Sequence, residues 1–265
     1  MTKGVILAGG TGSRMAPCTQ VTNKHLLPVG EFPMIFHPLN LLKKMGVTDI
    51  MVTVGGESIG EFLELLGSGA KYGLNLTFRV QDTANGIAGA MLLTEDFVDN
   101  NDMVVVLGDN IFDPDDFELE DSILTGVQPE FLWGTSINLD VGAKLFLKNV
   151  DCPERFGVAT LSNDEQSIES IIEKPSNPPT DLAVTGLYMY GAGSGIFDVL
   201  RILKPSHRGE LEITDVNNYF VDKGDCEFKV LDGYWSDAGT WDSWQKSNCW
   251  AFDNLDKMEL VESDG

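Results

Sequence analysis

Residues 4–14, with the sequence GVILAGGTGSR, decide the fold class of this chain. The apolar run 4–8 is typical of a buried parallel strand, and the glycines after it let the backbone approach a ligand closely. The N–H groups of such a loop can cradle phosphate, although a plain turn after a strand is the alternative. A dinucleotide fingerprint would need glycine where Met15 stands, and the Gly-Lys-Ser/Thr of a P-loop is absent.

Strand and helix patterns alternate after this segment. Further apolar runs predict buried strands at 49–54, 76–80 and 103–107. Apolar residues at helical spacing predict helices between the strands, at 35–45, 59–66 and 87–93. This βαβαβαβ rhythm predicts an α/β fold with a Rossmann-like, doubly wound mixed sheet that is mostly parallel.

The pattern changes after Asp109. Residues 113–121 are acidic and predict a solvated loop or the start of a helix. Additional strands are predicted at 131–137, 144–150, 157–161, 170–173 and 184–190. Two more helices are predicted at 196–203 and 212–223. We expect one mixed domain over residues 1–265, with a nucleotide-binding N-terminal half and a second ligand surface in the C-terminal half.

The composition is strongly acidic, with 18 Lys and Arg against 41 Asp and Glu, a net charge of −23. A nucleic-acid binder needs a basic face, and anionic membranes attract basic segments, so neither partner is expected. If the ligand is an anion, the few cations must be concentrated at its site. The cysteines favour neither a zinc site nor a disulfide framework, because they are widely spaced, at 18, 152, 226 and 249. No run is long enough to span a bilayer and the N-terminal run is too short for a signal peptide, so we expect a cytoplasmic protein.

Charged residues follow the predicted nucleotide-binding elements. Arg14 and Lys24 come after the glycine-rich loop and suit a triphosphate. Asp109 follows the strand predicted at 103–107, at the edge of an α/β sheet where ligands collect, and is suited to hold Mg²⁺. Asp237 precedes a glycine turn and is a second candidate ligand. Each of these residues alone has an ordinary alternative as a turn former or a surface charge.

Two cations of the C-terminal half carry weaker signals. Lys174 follows Glu173 at the end of a predicted strand, and Arg208 is one of few arginines. Surface ion pairing explains either residue taken alone. The histidines show no ligand spacing and are interpreted as structural, at positions 25, 37 and 207.

Taken in order, the motifs resemble the sugar-phosphate nucleotidyltransferases from residue 4 to about residue 250. The landmarks are LAGGTGSR, NKHLLPV, FPMIFHPL, LGDNIF, ERFGVA, EKP, VTGLYMY, RGELEITDVN and WSDAGT. LGDNIF is similar to the thymidylyltransferase branch rather than to the cytidylyl, guanylyl or adenylyl branches. The resemblance implies a Mg²⁺-dependent in-line displacement in which dTTP and glucose 1-phosphate give dTDP-glucose and pyrophosphate.

The resemblance also implies roles for individual positions. It assigns the catalytic cations, two for the triphosphate and two for the sugar's phosphate, to Arg14, Lys24, Lys174 and Arg208. It assigns the Mg²⁺ ligands to Asp109 and Asp237. It assigns nucleotide binding to Leu7, Gly9, Gly10, Gly12, Gln81 and Gly86. It assigns sugar binding to Asn110, Gly157, Glu173 and Thr185. The nucleotide-binding half would be 1–112 and the sugar-phosphate-binding half 113–265.

Several positions depart from the family pattern. His25 stands where the family usually has glutamine, Phe156 replaces a tyrosine, and the base loop 82–85 lacks its common proline. These changes leave open UTP, or another hexose 1-phosphate, as substrate. The segment 113–150 is longer than the corresponding segment of the family usually is.

The resemblance carries further expectations about assembly and pathway. It implies a homodimer or homotetramer and a place in dTDP-rhamnose and polysaccharide biosynthesis. The chain stops at Gly265, before the family's C-terminal helical segment, which leaves tetramers and feedback inhibition open. A non-catalytic nucleotide-sugar sensor is the alternative from another functional class, and an oxidoreductase is disfavoured because the dinucleotide fingerprint fails.

Overall fold

The computed structural model describes residues 1–83, 85–117, 139–206, 208–258 and 260. The chain forms two compact units that interleave in sequence. The first unit comprises Met1–Ala84, Val106–Ile137 and Gly233–Gly265, and the second comprises Asn85–Val105 and Asn138–Asp232. These units do not follow the boundary at residue 112, and the single domain with two ligand-binding halves stays a prediction.

The described strands and helices are numbered in chain order. The strands are β1 (Lys3–Ala8), β2 (Pro28–Val29), β3 (Phe32–Pro33), β4 (Asp49–Gly55), β5 (Asn75–Gln81), β6 (Met103–Leu107), β7 (Asn110–Phe112), β8 (Ala143–Asn149), β9 (Gly157–Leu161), β10 (Ile168–Glu173), β11 (Leu182–Tyr190), β12 (Cys226–Val230) and β13 (Trp235–Asp237). The helices are α1 (Phe36–Lys44), α2 (Ile59–Leu66), α3 (Ile87–Leu92), α4 (Glu95–Val98), α5 (Ile196–Ile202), α6 (Ile213–Asp222) and α7 (Trp241–Asp253).

The first unit is built on parallel strands. β1 pairs with β4 and β4 pairs with β5, both parallel, so that Gly55 lies beside Gln81. Val5, Ile6 and Ala8 of β1 are fully buried, because a parallel strand is covered on both faces. Helix α1 ends before Gly46, whose φ of +72° suits glycine at this turn.

A short antiparallel ladder in the same unit brings two sequence motifs together. β7 pairs with β13 so that Asp237 lies opposite Asn110, and the Ala238 N–H donates to the Asp109 carbonyl at 2.7 Å. Val29 and Ala251 of α7 belong to one buried cluster with Ala238. The WSDAG segment is therefore fixed beside LGDN.

The second unit is largely antiparallel. β11 pairs with β8 and β9, and β9 pairs with β10, all antiparallel, whereas β12 joins β8 in parallel. Every residue of β11 is buried. β6 contributes its first three residues to this unit and its last two, Val106 and Leu107, to the first.

The predicted mixed α/β fold is confirmed, with parallel strands in the N-terminal part of the chain and added strands after it. The predicted helices and strands within the described residues are present, with ends that shift by one or two residues. The strand predicted at 131–137 lies outside the described residues. Seven of the described strands and helices had no prediction, namely β2, β3, β7, β12, β13, α4 and α7. In the part of the chain that the structure describes, no helix has the length and apolarity needed to cross a membrane.

Candidate functional site

The predicted site residues fall into two groups, each within one unit. The first unit contains Leu7, Gly9, Gly10, Gly12, Arg14, Lys24, Gln81, Asp109, Asn110 and Asp237. The second unit contains Gly86, Gly157, Glu173, Lys174, Thr185 and Arg208.

The glycine-rich loop turns directly after β1. Gly12 has a φ of +65°, and its carbonyl accepts from the Met15 N–H at 2.8 Å and from Thr19 Oγ1 at 2.9 Å. A Cβ at Gly9 would lie 2.1 Å from Oε1 of Gln81, so a glycine is needed for this side chain to lie against the loop. The loop therefore combines tightly turned backbone with an amide that can donate and accept.

Two short helical turns carry the cations of this loop. Arg14 is exposed in the 3-10 turn Ser13–Met15. Lys24 is the first residue of the turn Lys24–Leu26, which the side chain of Asn23 caps by accepting from the His25 N–H. Pro17 and Pro28 in the sequence argue against a long helix between them, and the helical turns of the described backbone from Arg14 to Lys24 are all 3-10 turns.

A buried ion pair joins Lys24 to Asp109. The Lys24 ammonium contacts Oδ2 of Asp109, and the Asn110 amide donates to Oδ1 at 3.0 Å. Burial alone would raise the pKa of Asp109, but the charge of Lys24 and the hydrogen bonds from Lys24 and Asn110 lower it well below its usual range, and His25 adds to this effect only at the low pH where its ring is protonated. Asp109 is therefore a carboxylate at any physiological pH, held at the carboxyl end of β6.

His25 lies under this ion pair. Its side chain is 1% exposed, and burial, followed by the neighbouring Lys24 charge, lowers its pKa from 6.5 to about 3. Oδ1 of Asn23 accepts from the His25 N–H at 3.0 Å and lies 2.7 Å from Nδ1, so Nδ1 carries the proton of the neutral ring. A Cβ at Gly108 would lie 2.8 Å from the imidazole, which thus packs directly against the backbone before Asp109.

The Asn110 side chain is used inside the protein. It is 2% exposed, and its oxygen accepts from Nε1 of Trp235 at 2.8 Å while its nitrogen donates to Asp109. An indole N–H only donates and a carboxylate only accepts, so these neighbours fix the orientation of the amide. The predicted contact of Asn110 with a sugar hydroxyl stays a prediction.

The predicted Mg²⁺ ligands, Asp109 and Asp237, both carry carboxylates, a type of ligand that Mg²⁺ prefers. In the pairing of β7 with β13, Asp237 lies opposite Asn110, the residue that follows Asp109. A Cβ at Gly239 would lie 3.0 Å from Oδ2 of Asp109 and 2.9 Å from Nη2 of Arg14. Glycine therefore keeps this face of the carboxylate open. Within the described residues, no group of three or more His, Cys, Asp or Glu could hold a metal. Mg²⁺ is usually held by one or two carboxylates together with substrate phosphates, so two such residues suffice.

The second group centres on Arg208. Its Nε and Nη2 donate to the two carboxylate oxygens of Glu212 at 3.1 and 2.7 Å. Nη2 also lies 3.2 Å from Glu173 and 3.4 Å from Glu210. Ser206 Oγ donates to Glu212 Oε1 at 2.6 Å. The hydrogen bond to Glu212 raises the pKa of Arg208, whereas the pKa of Glu212, which burial alone would raise, is lowered by this pairing.

Glu173 connects several of the predicted sugar-binding positions. Its Oε2 accepts from Thr214 Oγ1 at 2.5 Å, and its Oε1 lies 3.4 Å from Nζ of Lys174. Gly157 is its strand partner, and a Cβ at this glycine would lie 3.0 Å from Thr214 Oγ1. Thr185 is fully buried on β11, and its hydroxyl has no hydrogen-bond partner among the described residues.

Gly86 packs against the segment that carries Arg208. Its φ is +98°, and a Cβ would lie 2.6 Å from the Leu211 carbonyl. The Leu211 N–H donates to the carbonyl of Asn85 at 3.0 Å. Glycine is thus required here by a close backbone approach, whatever its predicted contact with the base.

Sequence reasoning selected the charged residues but missed the groups that orient them. Glu212, Thr214 and Ser206 lie in the RGELEITD segment or next to it, yet only Arg208 was singled out there. The four-residue spacing of Arg208 and Glu212 was the available signal, because residues at this separation pair readily.

Comparisons with known proteins extend the description. The sequence pattern of the family described as nucleotidyl transferase matches residues 3–251. The chain is 39% identical over 243 residues to a glucose-1-phosphate thymidylyltransferase of Neisseria meningitidis, which is 91% of this chain and 79% of that protein. A crystal structure from Bacillus anthracis, described as a glucose-1-phosphate thymidylyltransferase in complex with a sucrose, is 49% identical, with a TM-score of 0.82 and 96% of both chains covered. A UDP-glucose pyrophosphorylase complexed with UDP-glucose has a TM-score of 0.77 at 19% identity, covering 96% of this chain and 99% of that one, and shares the fold alone.

Proposed function

Because the chain belongs to the nucleotidyl transferase family, we propose that it joins dTTP to glucose 1-phosphate and releases pyrophosphate. A phosphate oxygen of the sugar attacks the α-phosphorus of dTTP while the bond to the β-phosphate breaks, so dTDP-glucose and pyrophosphate form. The observation that carries the proposal is the buried Asp109 carboxylate, paired with Lys24 and adjoined by the strand of Asp237. This arrangement joins one fixed cation to a carboxylate donor set beside a glycine-rich loop.

The first unit supplies the residues for dTTP. The loop Gly9–Gly12 offers backbone N–H groups to the phosphates, and Gln81 offers its amide to the pyrimidine. Arg14 binds the triphosphate and stabilises the charge that develops on the leaving pyrophosphate. Lys24 compensates the charge of the buried Asp109 carboxylate, and its ammonium would also contact the triphosphate.

Asp109 and Asp237 would hold Mg²⁺. When bound, the ion neutralises phosphate charge and orients the α-phosphate for in-line attack. The low pKa of Asp109 favours this role, because a carboxylate that never protonates at working pH keeps its affinity for a cation.

The second unit supplies the residues for glucose 1-phosphate. Lys174 and Arg208 bind the sugar's phosphate, and Glu173 accepts from sugar hydroxyls, oriented by the bond from Thr214. Gly157 and the unpartnered Thr185 hydroxyl are further proposed contacts of the sugar.

The proposal is tested by measuring pyrophosphate release from glucose 1-phosphate, with D109N and D237N as variants and D242N as the matched control. Asp242 is exposed on α7, so the same change there removes one charge without touching the site. We expect D109N and D237N to lose activity by at least about 100-fold, and D237N to require more Mg²⁺. Full activity in D109N, or no release by the wild type, would refute the proposal.

UTP is the second nucleotide to test. Phe156 and the base loop 82–85 differ from the usual thymidylyltransferase pattern, and either change bears on substrate choice. Competition between dTTP and UTP at equal concentration decides this point, and other hexose 1-phosphates are compared in the same assay. The product dTDP-glucose would serve dTDP-deoxysugar and polysaccharide synthesis. The enzyme itself would be cytoplasmic and homo-oligomeric.

A further inference from the structure

Arg208 is held along one edge of its guanidinium. Within the described residues, every hydrogen bond from this side chain leaves through Nε or Nη2, and the bidentate partner of that edge is Glu212. A guanidinium has a second edge, formed by Nη1 and Nη2, that matches the oxygens of a phosphate. The contact with Glu212 therefore leaves Nη1 as the donor that remains available.

Glu212 is itself anchored more firmly than the arginine. Glu212 is buried and lies at the N-terminus of α6, and Ser206 Oγ donates to it at 2.6 Å. The amide of Asn218, on α6, bonds both backbone groups of Ile171 at 2.9 and 2.8 Å. The helix that begins after Glu212 is thus tied to β10, the strand that ends at Glu173.

Glu210 provides an internal comparison. Its carboxylate lies 3.4 Å from Nη2 of the same arginine, but its side chain is 46% exposed, against 10% for Glu212. An exposed single contact orients a guanidinium poorly, whereas a buried bidentate contact restricts both its position and its plane.

We infer that Glu212 is a positioning residue for the sugar-phosphate step: it clamps Arg208 by the Nε–Nη2 edge so that Nη1 is presented to the phosphate of the acceptor. The catalytic use of the clamp rests on the proposed function, whereas the clamp itself rests on the geometry alone. Glu212 touches no substrate in this scheme and acts through Arg208.

The test compares E212Q with E210Q and E212D. E212Q keeps the shape of the side chain but removes the charge and leaves one oxygen for three donors, namely Nε and Nη2 of Arg208 and Oγ of Ser206. We expect the KM for glucose 1-phosphate to rise about 10- to 100-fold in E212Q, the loss typical of a charge-assisted hydrogen bond, while the KM for dTTP stays within about twofold. E210Q is expected to match the wild type in both constants, and E212D, which retains a carboxylate, to recover part of the loss.

A second measurement reports the clamp without any reaction. The Nε–H signal of Arg208, assigned with R208K by heteronuclear NMR, is expected to be shifted and protected from exchange in the wild type and E210Q, and to lose both properties in E212Q.

The possible outcomes separate the two claims. An unchanged Nε–H signal in E212Q overturns the clamp, and equal increases in the KM of both substrates overturn the positioning role in favour of a general structural one. A clamped Arg208 in a wild type that releases no pyrophosphate refutes the proposed function and the catalytic use of the clamp together.

Discussion

Replacing His25 by glutamine is expected to flatten the pH dependence of stability. His25 is 1% exposed and neutral in the folded protein, where burial lowers its pKa to about 3. In the unfolded chain its pKa returns to about 6.5. Because the folded-state pKa is the lower one, the stability that the neutral ring contributes is complete above pH 6.5 and is lost as the pH falls toward 3.

The size of the effect follows from the two pKa values. Each pH unit between them changes the free energy of unfolding by about 1.4 kcal/mol. Lowering the pH from 7 to 5 crosses about one and a half such units, so His25 alone should destabilise the wild type by about 2 kcal/mol. Asp109 stays ionised over this range, because its pKa lies below the usual value of 3.8, and does not add to the difference.

The assay is urea denaturation followed by circular dichroism at pH 7 and pH 5, for the wild type and H25Q. The relevant quantity is the pH-dependent loss in each protein, not the difference between them at one pH, because glutamine also changes the packing against Gly108. We expect the wild type to lose about 2 kcal/mol more than H25Q between the two pH values. Equal m-values at both pH values would show that the same transition is being compared.

An equal loss in the free energy of unfolding between pH 7 and pH 5 in the wild type and in H25Q would refute this reasoning. It would mean that His25 is protonated in the folded state near its ordinary pKa, and hence that water or a carboxylate reaches the ring. H37Q is an independent check on the same logic, because burial also lowers the pKa of His37, whose Nε2 lies 3.0 Å from the Val29 carbonyl.

Three further substitutions test contacts of the first unit. G239A would put a methyl group 3.0 Å from Oδ2 of Asp109. We therefore expect kcat for pyrophosphate release to fall at least about tenfold with little change in melting temperature, and an unchanged kcat would contradict the contact. G9A would put a methyl group 2.1 Å from Oε1 of Gln81, so the KM for dTTP should rise several-fold while that for glucose 1-phosphate stays constant; equal increases would argue against a nucleotide role. K257A removes a side chain that contacts two carboxylates at 2.6 to 2.9 Å and should lower the free energy of unfolding by about 1 kcal/mol, whereas an unchanged urea midpoint would make this network dispensable.

The elements that were predicted correctly are those whose burial can be inferred directly from the positions of apolar residues in the sequence. β1 and β6 are short apolar runs followed by glycine, and helix α1 ends two residues before Gly46. Such segments report burial directly, because a parallel strand is covered on both faces and a helix buries one stripe.

Helix α7 was missed because its buried positions are small rather than apolar. It buries Ser243, Ser247 and Ala251, which gives the sequence no hydrophobic stripe at helical spacing. The signal that was present is local: Thr240 and Ser243 form a reciprocal capping box at the start of the helix.

The acidic stretch after β7 was predicted as a solvated loop or the start of a helix, and its described part proves to be tied to the protein. Pro114–Phe117 forms a 3-10 turn, and the Asp116 carboxylate accepts from the Gly233 N–H at 3.0 Å. Asp113 is bound by Lys257, more than a hundred positions away. Partners so distant in sequence cannot be found from charge patterning, which reports only neighbours along the chain.

Because sequence patterns report only neighbours along the chain, the charged residues of the site could be predicted but their pairing could not. Motif order identified Lys24 and Asp109 separately, but their contact across 85 positions is a product of the fold. Pairing changes the chemistry of both residues, because a buried carboxylate with an ammonium beside it is ionised and already compensated.

The acidic composition gives this pairing a wider meaning. Three of the four predicted catalytic cations already contact carboxylates: Lys24 contacts Asp109, Lys174 contacts Glu173, and Arg208 contacts Glu212. The phosphates of a substrate therefore compete with a carboxylate at Lys24 and at Lys174, whereas Arg208 keeps its contact with Glu212 and binds through Nη1. This competition lowers the gain in affinity and favours substrates that bring a divalent cation with them.

Arg14 differs from the other three, since no ion pair involves it in the part of the chain that the structure describes. Its charge is fully available in a protein whose net charge of −23 repels anions at long range. In the proposed reaction the triphosphate therefore finds its first uncompensated cation at the glycine-rich loop. The loop, rather than the overall field of the protein, then determines where the nucleotide binds.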